Sequence, residues 1–242
     1  MADKEIALIV GAGSGLSASL ARLCADAGMA VAVAARNAEK LAPLCEETGA
    51  TAYVCDATDG DQVDKLFDAV GADLGIPDLV VYNASARARG PIAEVARDAV
   101  LNAVMVSCYA GFLVGQKAAQ VMLPRGSGSI LFTGASASVK GYPQSAPFAM
   151  GKFGLRGLAQ AMARELAPRN IHIGHFVIDG GISKGPDDPR AARSLAEGRQ
   201  SGEATDSLLD PDAIARTYLD VHRQHRSAWT WEIELRPWVE KF

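Results

Sequence analysis

The sequence predicts an α/β fold, a doubly wound parallel sheet of about seven strands in a single domain over residues 1–242. Three observations predict it. Short, almost uninterrupted apolar runs alternate with helical patterns from the first residues onward, as strands buried on both faces require. Gly28 and Gly49 stand just past two helical stretches, where a left-handed residue closes a helix. Neither an internal repeat nor an interdomain linker interrupts the rhythm.

The elements follow in order. "IALIV" is the first strand, "LSASLARLCADAG" the first helix and "MAVAVAA" the second strand. Asn37 is placed to cap the next helix, within "NAEKLAPLCEETG", and "TAYVCD" is the third strand. "DLVVYNA" supplies the fourth strand, and a long helical stretch runs from about Glu94 to Leu123. "GSILFTG", a helix from about Phe148 to Leu166, and "IHIGHFVI" come next. The polar, glycine- and proline-bearing stretch from Ser183 to Asp206 reads as a lid rather than a boundary, because it is long and late in a single sheet. Asp210-Pro211 starts a last helix. In "WTWEIELRP", Trp229, Trp231, Ile233 and Leu235 alternate with Thr230, Glu232, Glu234 and Arg236, as in a strand with one polar face.

Composition narrows the function classes. With 49% hydrophobic and 21% charged residues, the chain has the make-up of a globular protein with a sizeable core. A net charge of -4 without a basic stripe argues against nucleic acid as partner. Cys24, Cys45, Cys55 and Cys108 lie in apolar segments without CxxC spacing, so they read as buried thiols rather than disulfides or a metal site. No run of eighteen apolar residues appears, and the N-terminus "MADKEIALIVGAG" lacks the pattern of an export signal, so no membrane association and a cytoplasmic location are expected.

In an open parallel sheet, ligands bind beyond the carboxyl ends of the strands. The first such place is "VGAGSGLSASLA", where Gly11, Gly13, Ser14, Gly15 and Leu16 form a strand-to-helix turn. Glycines there let backbone N–H groups approach a pyrophosphate, and the following helix N-terminus favours its charge. The GxGxxG fingerprint is not met, because Leu16 stands at its third glycine.

The turn resembles the TGxxxGxG motif of the short-chain dehydrogenase/reductase family, with Gly11 and Gly15 in place, Val10 for threonine and Ser17 for the last glycine. "CDATD" resembles the family's Asp-bearing turn, "YNAS" its NNAG motif, and "ARELAPRNIHI" the segment joining its sixth helix and strand. The resemblance implies a Rossmann-like fold and a nicotinamide cofactor. It places Asp56 and Ala57 at the adenine, and Asn83 and Ala84 beside the nucleotide. Asp179, in "VIDGG", stands about where the family has a Pro-Gly pair and reads as a turn carboxylate bonding backbone N–H groups, while Gly180 is expected at the cofactor. At the end of the second strand, NAD-preferring sites carry a carboxylate. Here that position is Ala35, and Arg36 follows as a phosphate fork, so NADP(H) is favoured over NAD(H).

The family's catalytic set is mostly missing. Lys152 matches the lysine of its YxxxK pair, which puts Phe148 at the tyrosine; Ala135 falls at the serine and Ser107 at the asparagine. Ser136 and Tyr142 are the replacement candidates beside Lys152, Ser136 depending on a local bulge. Lys152 reads as a ribose ligand, with proton donation as the alternative if burial lowers its pKa. His175 reads as a satisfied buried histidine, His172 faces the opposite way, and His222 and His225 suit a helix end.

The expected function is thus an NADP(H)-binding oxidoreductase acting on a small molecule by a route that does not use the tyrosine. A degenerate NADP(H) sensor or partner protein, and a non-redox lyase or isomerase in the same pocket, are the competing readings. The family pairs its fifth and sixth helices between subunits, so a homodimer or homotetramer is expected, with Gly151, Gly154 and Gly157 allowing close approach. The ending "SAWTWEIELRPWVEKF" departs from the family, and Trp238 and Phe242 are expected to pack at a subunit boundary or to close the core.

Overall fold

The computed structural model describes residues 4–185, 188–190 and 207–240. Most of the Ser183 to Asp206 segment, and Phe242, lie outside the described residues.

Seven parallel strands form one sheet. They are β1 (Ile6–Val10), β2 (Ala30–Ala35), β3 (Thr51–Val54), β4 (Leu79–Tyr82), β5 (Gly128–Thr133), β6 (Ile171–Ile178) and β7 (Glu232–Leu235). Their spatial order is β3-β2-β1-β4-β5-β6-β7, so the winding reverses between β1 and β4. That switch point opens a crevice at the carboxyl ends of the strands. The helices are α1 (Leu16–Asp26), α2 (Ala42–Thr48), α3 (Gly60–Asp73), α4 (Arg97–Val104), α5 (Ala110–Met122), α6 (Ala146–Leu166) and α7 (Pro211–His222).

Alternation along the strands builds two cores. Ala7, Ile9, Val31, Val33, Val81 and Leu131 face α1, α2 and α7, while Leu8, Val10, Ala32, Ala34, Val80 and Ile130 face α3, α5 and α6. Gly28 and Gly49 are left-handed, at φ 84° and 71°, as the sequence requires of residues ending α1 and α2. Asn37 accepts the Glu39 N–H at 3.1 Å, which places it at the 3-10 turn before α2 rather than at the cap of α2 itself. Asp210 caps α7 by accepting the Asp212 N–H at 2.9 Å.

The long helical stretch begins at Arg97, not Glu94, because the N–H groups of Glu94 and Val95 both turn back to the Pro91 carbonyl. It is interrupted by a π turn, Met105–Tyr109, between α4 and α5. By length and composition Arg97–Met122 would qualify to cross a membrane, with a mean hydropathy of 1.5. Its buried stripe of Ala103, Ser107, Ala110, Val114, Ala118 and Met122 packs it under the sheet.

Two expectations about the helix faces and the chain's end change. A Cβ at Gly151 would lie 2.7 Å from Ser107 Cβ, and one at Gly154 would lie 2.7 Å from Cys108 Sγ. These glycines therefore let α6 approach the π turn of its own chain, and only Gly157 faces open space. Trp238 is 69% exposed and does not close the core. The polar face of β7 is not solvated throughout either: Glu232 holds Arg156 at 2.6 Å and His175 at 3.0 Å.

Candidate active site

The crevice beyond β1 and β4 is a cleft of about 750 Å³ lined by Gly11, Gly13, Ser14, Arg36, Asp56, Ala57, Asn83 and Ala84, among others. Gly11 sits at φ 85°, and a Cβ there would overlap the backbone of Ala84, so the β1 turn and the β4 loop meet only because this residue is glycine. Ser17 takes over where the family motif has its last glycine. Its hydroxyl donates to the Gly11 carbonyl at 3.2 Å and accepts from Asn83 Nδ2 at 2.7 Å, tying the two loops together. The first turn of α1 has no side-chain cap and no acidic residue, which leaves its N–H groups suited to an anion. Leu16 points into the core, and neither it nor Gly15 lines the cleft.

At the β2 end, Ala35, Arg36, Asn37 and Lys40 line the wall, with no carboxylate at the β2 terminus. Lys40 was not singled out from the sequence; it reaches the cleft from the short 3-10 turn Glu39–Leu41. Asp56 Oδ1 accepts from the Thr58 hydroxyl at 2.7 Å and the Thr58 N–H at 3.0 Å. Those hydrogen bonds, with Arg36 nearby, hold its carboxyl below the usual range. The donors and cations of this cleft fit a nicotinamide dinucleotide.

The positions that the family resemblance assigns to catalysis lie after β5, on the π turn and on α6. Phe148 and Lys152 are buried one turn apart on the inner face of α6, Phe148 packing with Ala135 and Ala137. Lys152 is 2% exposed and donates to the Thr133 carbonyl at 2.6 Å. Burial, and secondarily the Arg87 charge, push its pKa down to about 7. Ala135 Cβ faces Phe148, and the buried hydroxyl near it is Ser138, whose Oγ accepts the Ala135 N–H at 3.1 Å. Ser136 opens the short 3-10 turn Ser136–Ser138 and makes no side-chain hydrogen bond among the described residues.

Two candidates do not converge on this site. Tyr142, 45% exposed, lines a separate hollow with Ala146, Ala149, Met150 and Phe153. Those are outward positions of α6, so the helix itself stands between Tyr142 and Lys152. Gly180 does not line the cleft but packs against Pro237 and Leu209. Asp179 is not a turn carboxylate bonding backbone: it pairs with Lys140 Nζ at 3.0 Å and Arg236 at 3.1 Å.

His175 is fully buried, with Nδ1 3.0 Å from Glu232 and no hydrogen-bond partner for Nε2. Desolvation dominates and lowers its pKa to about 4, so the ring is neutral and only half satisfied. His172 lies on the other face, stacked on Trp229 at 4.6 Å, and His222, the last residue of α7, bonds Ser129 at 2.9 Å. No cluster able to hold a metal occurs among the described residues. The four thiols are unpaired, and burial raises Cys24 to about 12 and Cys55 to about 11, which makes both inert.

One residue here escaped the sequence. Arg87, on the loop after β4, holds its guanidinium carbon 4.2 Å from the Phe148 ring centroid. Ser107, on the π turn, fixes that loop by accepting the Ala86 N–H at 3.1 Å and donating to the Ala86 carbonyl at 3.3 Å.

Residues 5–183 match the family model described as short chain dehydrogenase. (+)-Borneol dehydrogenase 1 of Salvia officinalis is 31% identical over 228 residues, covering 90% of this chain and 86% of its own. D-threitol dehydrogenase of Mycolicibacterium smegmatis is 27% identical over 176 residues, 71% of this chain and 68% of its own. The crystal structure of a short-chain dehydrogenase from Rhodopseudomonas palustris is similar with a TM-score of 0.80 and 33% identity, covering 98% of this chain and 100% of that one. The actinorhodin polyketide ketoreductase solved with NADPH, at 24% identity and a TM-score of 0.85 over 99% of this chain and 98% of its own, shares the fold. With its glycine turn, seven-stranded sheet and this match, the chain belongs to the short-chain dehydrogenase family and carries a Rossmann-type nucleotide-binding fold.

Proposed function

We propose that the chain is an NADP(H)-dependent oxidoreductase acting on a small molecule without a tyrosine acid. One observation carries the reading: the cleft is walled by Arg36 and Lys40, with Ala35 where a carboxylate would repel a 2'-phosphate, and Lys152 is buried beside Phe148 on α6. Solved members of this fold that hold NADPH or NADP support the choice of cofactor.

When bound, the nicotinamide supplies a hydride. The chain's own residues then have separable tasks. The β1 turn and the start of α1 receive the pyrophosphate, Arg36 and Lys40 the 2'-phosphate, and Asp56 the adenine. Lys152 spends one N–H on the Thr133 carbonyl, which leaves two for ribose hydroxyls. Phe148 neither gives nor takes a proton. Loss of a general acid costs about 100- to 10,000-fold on a substrate that needs one, so the route favours an acceptor carbon that is already electron-poor, such as an iminium.

Fluorescence titration tests the nucleotide half: NADPH should bind more tightly than NADH, and absence of any NADPH affinity would remove the reading. NADPH consumption across ketones, iminium ions and activated alkenes tests the redox half. A non-catalytic nucleotide sensor is the second reading, favoured by the joint replacement at Ala135, Ser107 and Phe148; it predicts NADPH binding with no turnover on any of them.

We also infer a homodimer or homotetramer. Exposed Tyr109 at the end of the π turn, Phe112 on α5, and Met150 and Phe153 on α6 supply an apolar face for it.

A further inference from the structure

We propose that Arg87 is the substrate-recognising residue of this site and that, with Lys152, it makes the substrate end a receptor for a carboxylate. The proposal rests on the nucleotide reading above for which end of the cleft meets substrate. Its own support is the way three positions around Arg87 fit together. Ser107 clamps both the N–H and the carbonyl of Ala86, so the residue that follows leaves the chain from a fixed point. The clamp sits on a π turn, a local irregularity that needs a reason to persist. Phe148 then gives the guanidinium a ring face at 4.2 Å. A phenyl face offers no in-plane acceptor, and Arg87 makes no hydrogen bond or ion pair with any described residue. Its five donors therefore stay available to a ligand.

Charge points the same way. The Lys152 ammonium lies 5.9 Å from the same ring centroid, and Arg89 stands two residues beyond Arg87. No acidic side chain pairs with any of the three among the described residues. A guanidinium against an aromatic face, walled by Ala135 and Ala137, suits a flat anion on an apolar body. A carboxylate matches the planar fork of a guanidinium, whereas a neutral carbonyl substrate would leave that charge without an anion.

Isothermal titration with benzoate and benzamide, on protein saturated with NADP+, tests it. Benzoate should bind at least about 10-fold more tightly than benzamide, the ratio expected from one charge-assisted contact. Arg87→Gln should remove that preference and Arg87→Lys should keep part of it, with NADP+ affinity unchanged in both. Equal binding of acid and amide, no benzoate binding up to about 20 mM, or a preference that survives in Arg87→Gln would overturn the proposal. Displacement of benzoate by equimolar inorganic phosphate would overturn the carboxylate assignment. NADP+ affinity is titrated separately in the same samples: its absence would sink the nucleotide reading, and the benzoate-to-benzamide ratio on free protein would still decide the role of Arg87.

Discussion

Replacing Lys152 by methionine should stabilise the nucleotide-free protein, by an amount that shrinks as pH rises. Lys152 is fully enclosed, and its surroundings contribute no anion. Arg87 approaches from the β4 loop, neutral His175 from β6, and the Thr133 carbonyl from β5. Its pKa falls from 10.5 to about 7 on folding. Between those values the unfolded chain binds more protons than the folded one, so stability rises with pH across that interval. Below pH 7 both states are charged and the full penalty, about 5 kcal/mol from that displacement, is present. Methionine fills a similar volume and removes the charge but forfeits the hydrogen bond to Thr133, worth about 1 kcal/mol. Relaxation around a buried ammonium reduces the penalty further, so a net gain of about 2–4 kcal/mol is expected at pH 6. Near pH 10 the gain should vanish or reverse. Urea unfolding of both proteins from pH 6 to 10 measures the difference and cancels every group they share. A difference that stays flat with pH would refute the assignment of a strained, acid-free burial to this lysine.

The remaining predictions concern cofactor choice, chemistry, the β7 edge and assembly. Arg36→Glu with Lys40→Ala should weaken NADPH binding by about 100-fold, as expected for losing charged phosphate contacts, and leave NADH binding within a few-fold; equal losses for both nucleotides would contradict the placement of the 2'-phosphate. Phe148→Tyr with Ala135→Ser should create or raise ketone reduction in an NADPH-consumption assay by at least about 10-fold, and no gain would mean that the surrounding backbone has diverged as well. Glu232→Ala strips the acceptors from Arg156 and His175 and should cost about 2–4 kcal/mol in urea unfolding; a loss below about 0.5 kcal/mol would show the cluster to be an ordinary surface pair. Phe112→Glu with Phe153→Glu should lower the mass measured by light scattering, and an unchanged oligomer would move the contact to another face.

The fold was legible because its signals are local and repeated. Most strands are apolar runs bounded by a turn, β7 alternates instead, and the glycines ending α1 and α2 meet a backbone requirement that no other residue satisfies cheaply. Phe148 and Lys152 were legible for a similar reason, since four residues on one helix fix which side chains share a face. What distance along the chain does not fix is how loops from different strands meet. Tyr142 is only ten residues before Lys152, yet α6 separates them, while Gly180 meets Pro237 because β6 and β7 pair with Ile178 opposite Leu235, and each residue lies two beyond that pair. Asp179 was misread for the same reason: Lys140 and Arg236 come from other segments, and a sequence gives no hint that two cations will converge on a turn.

Arg87 shows most plainly where a motif comparison stops. A family pattern draws attention to the positions it names, and at Phe148, Ala135 and Ser107 it registers only losses. The structure gives two of those three residues new work around a position the pattern does not name: Ser107 holds the backbone before Arg87, and Phe148 lies under its guanidinium. If the replacements were drift after loss of function, nothing would require a hydroxyl at Ser107 to bind both polar groups of Ala86, or the ring at Phe148 to sit beneath a cation. A guanidinium placed there cannot protonate an alkoxide, since it does not lose its proton near neutral pH, but it can hold a negative charge in place. Under the proposal made for Arg87, the site exchanges an acid for a fixed charge, and such an exchange would change which substrates can react more than whether any can.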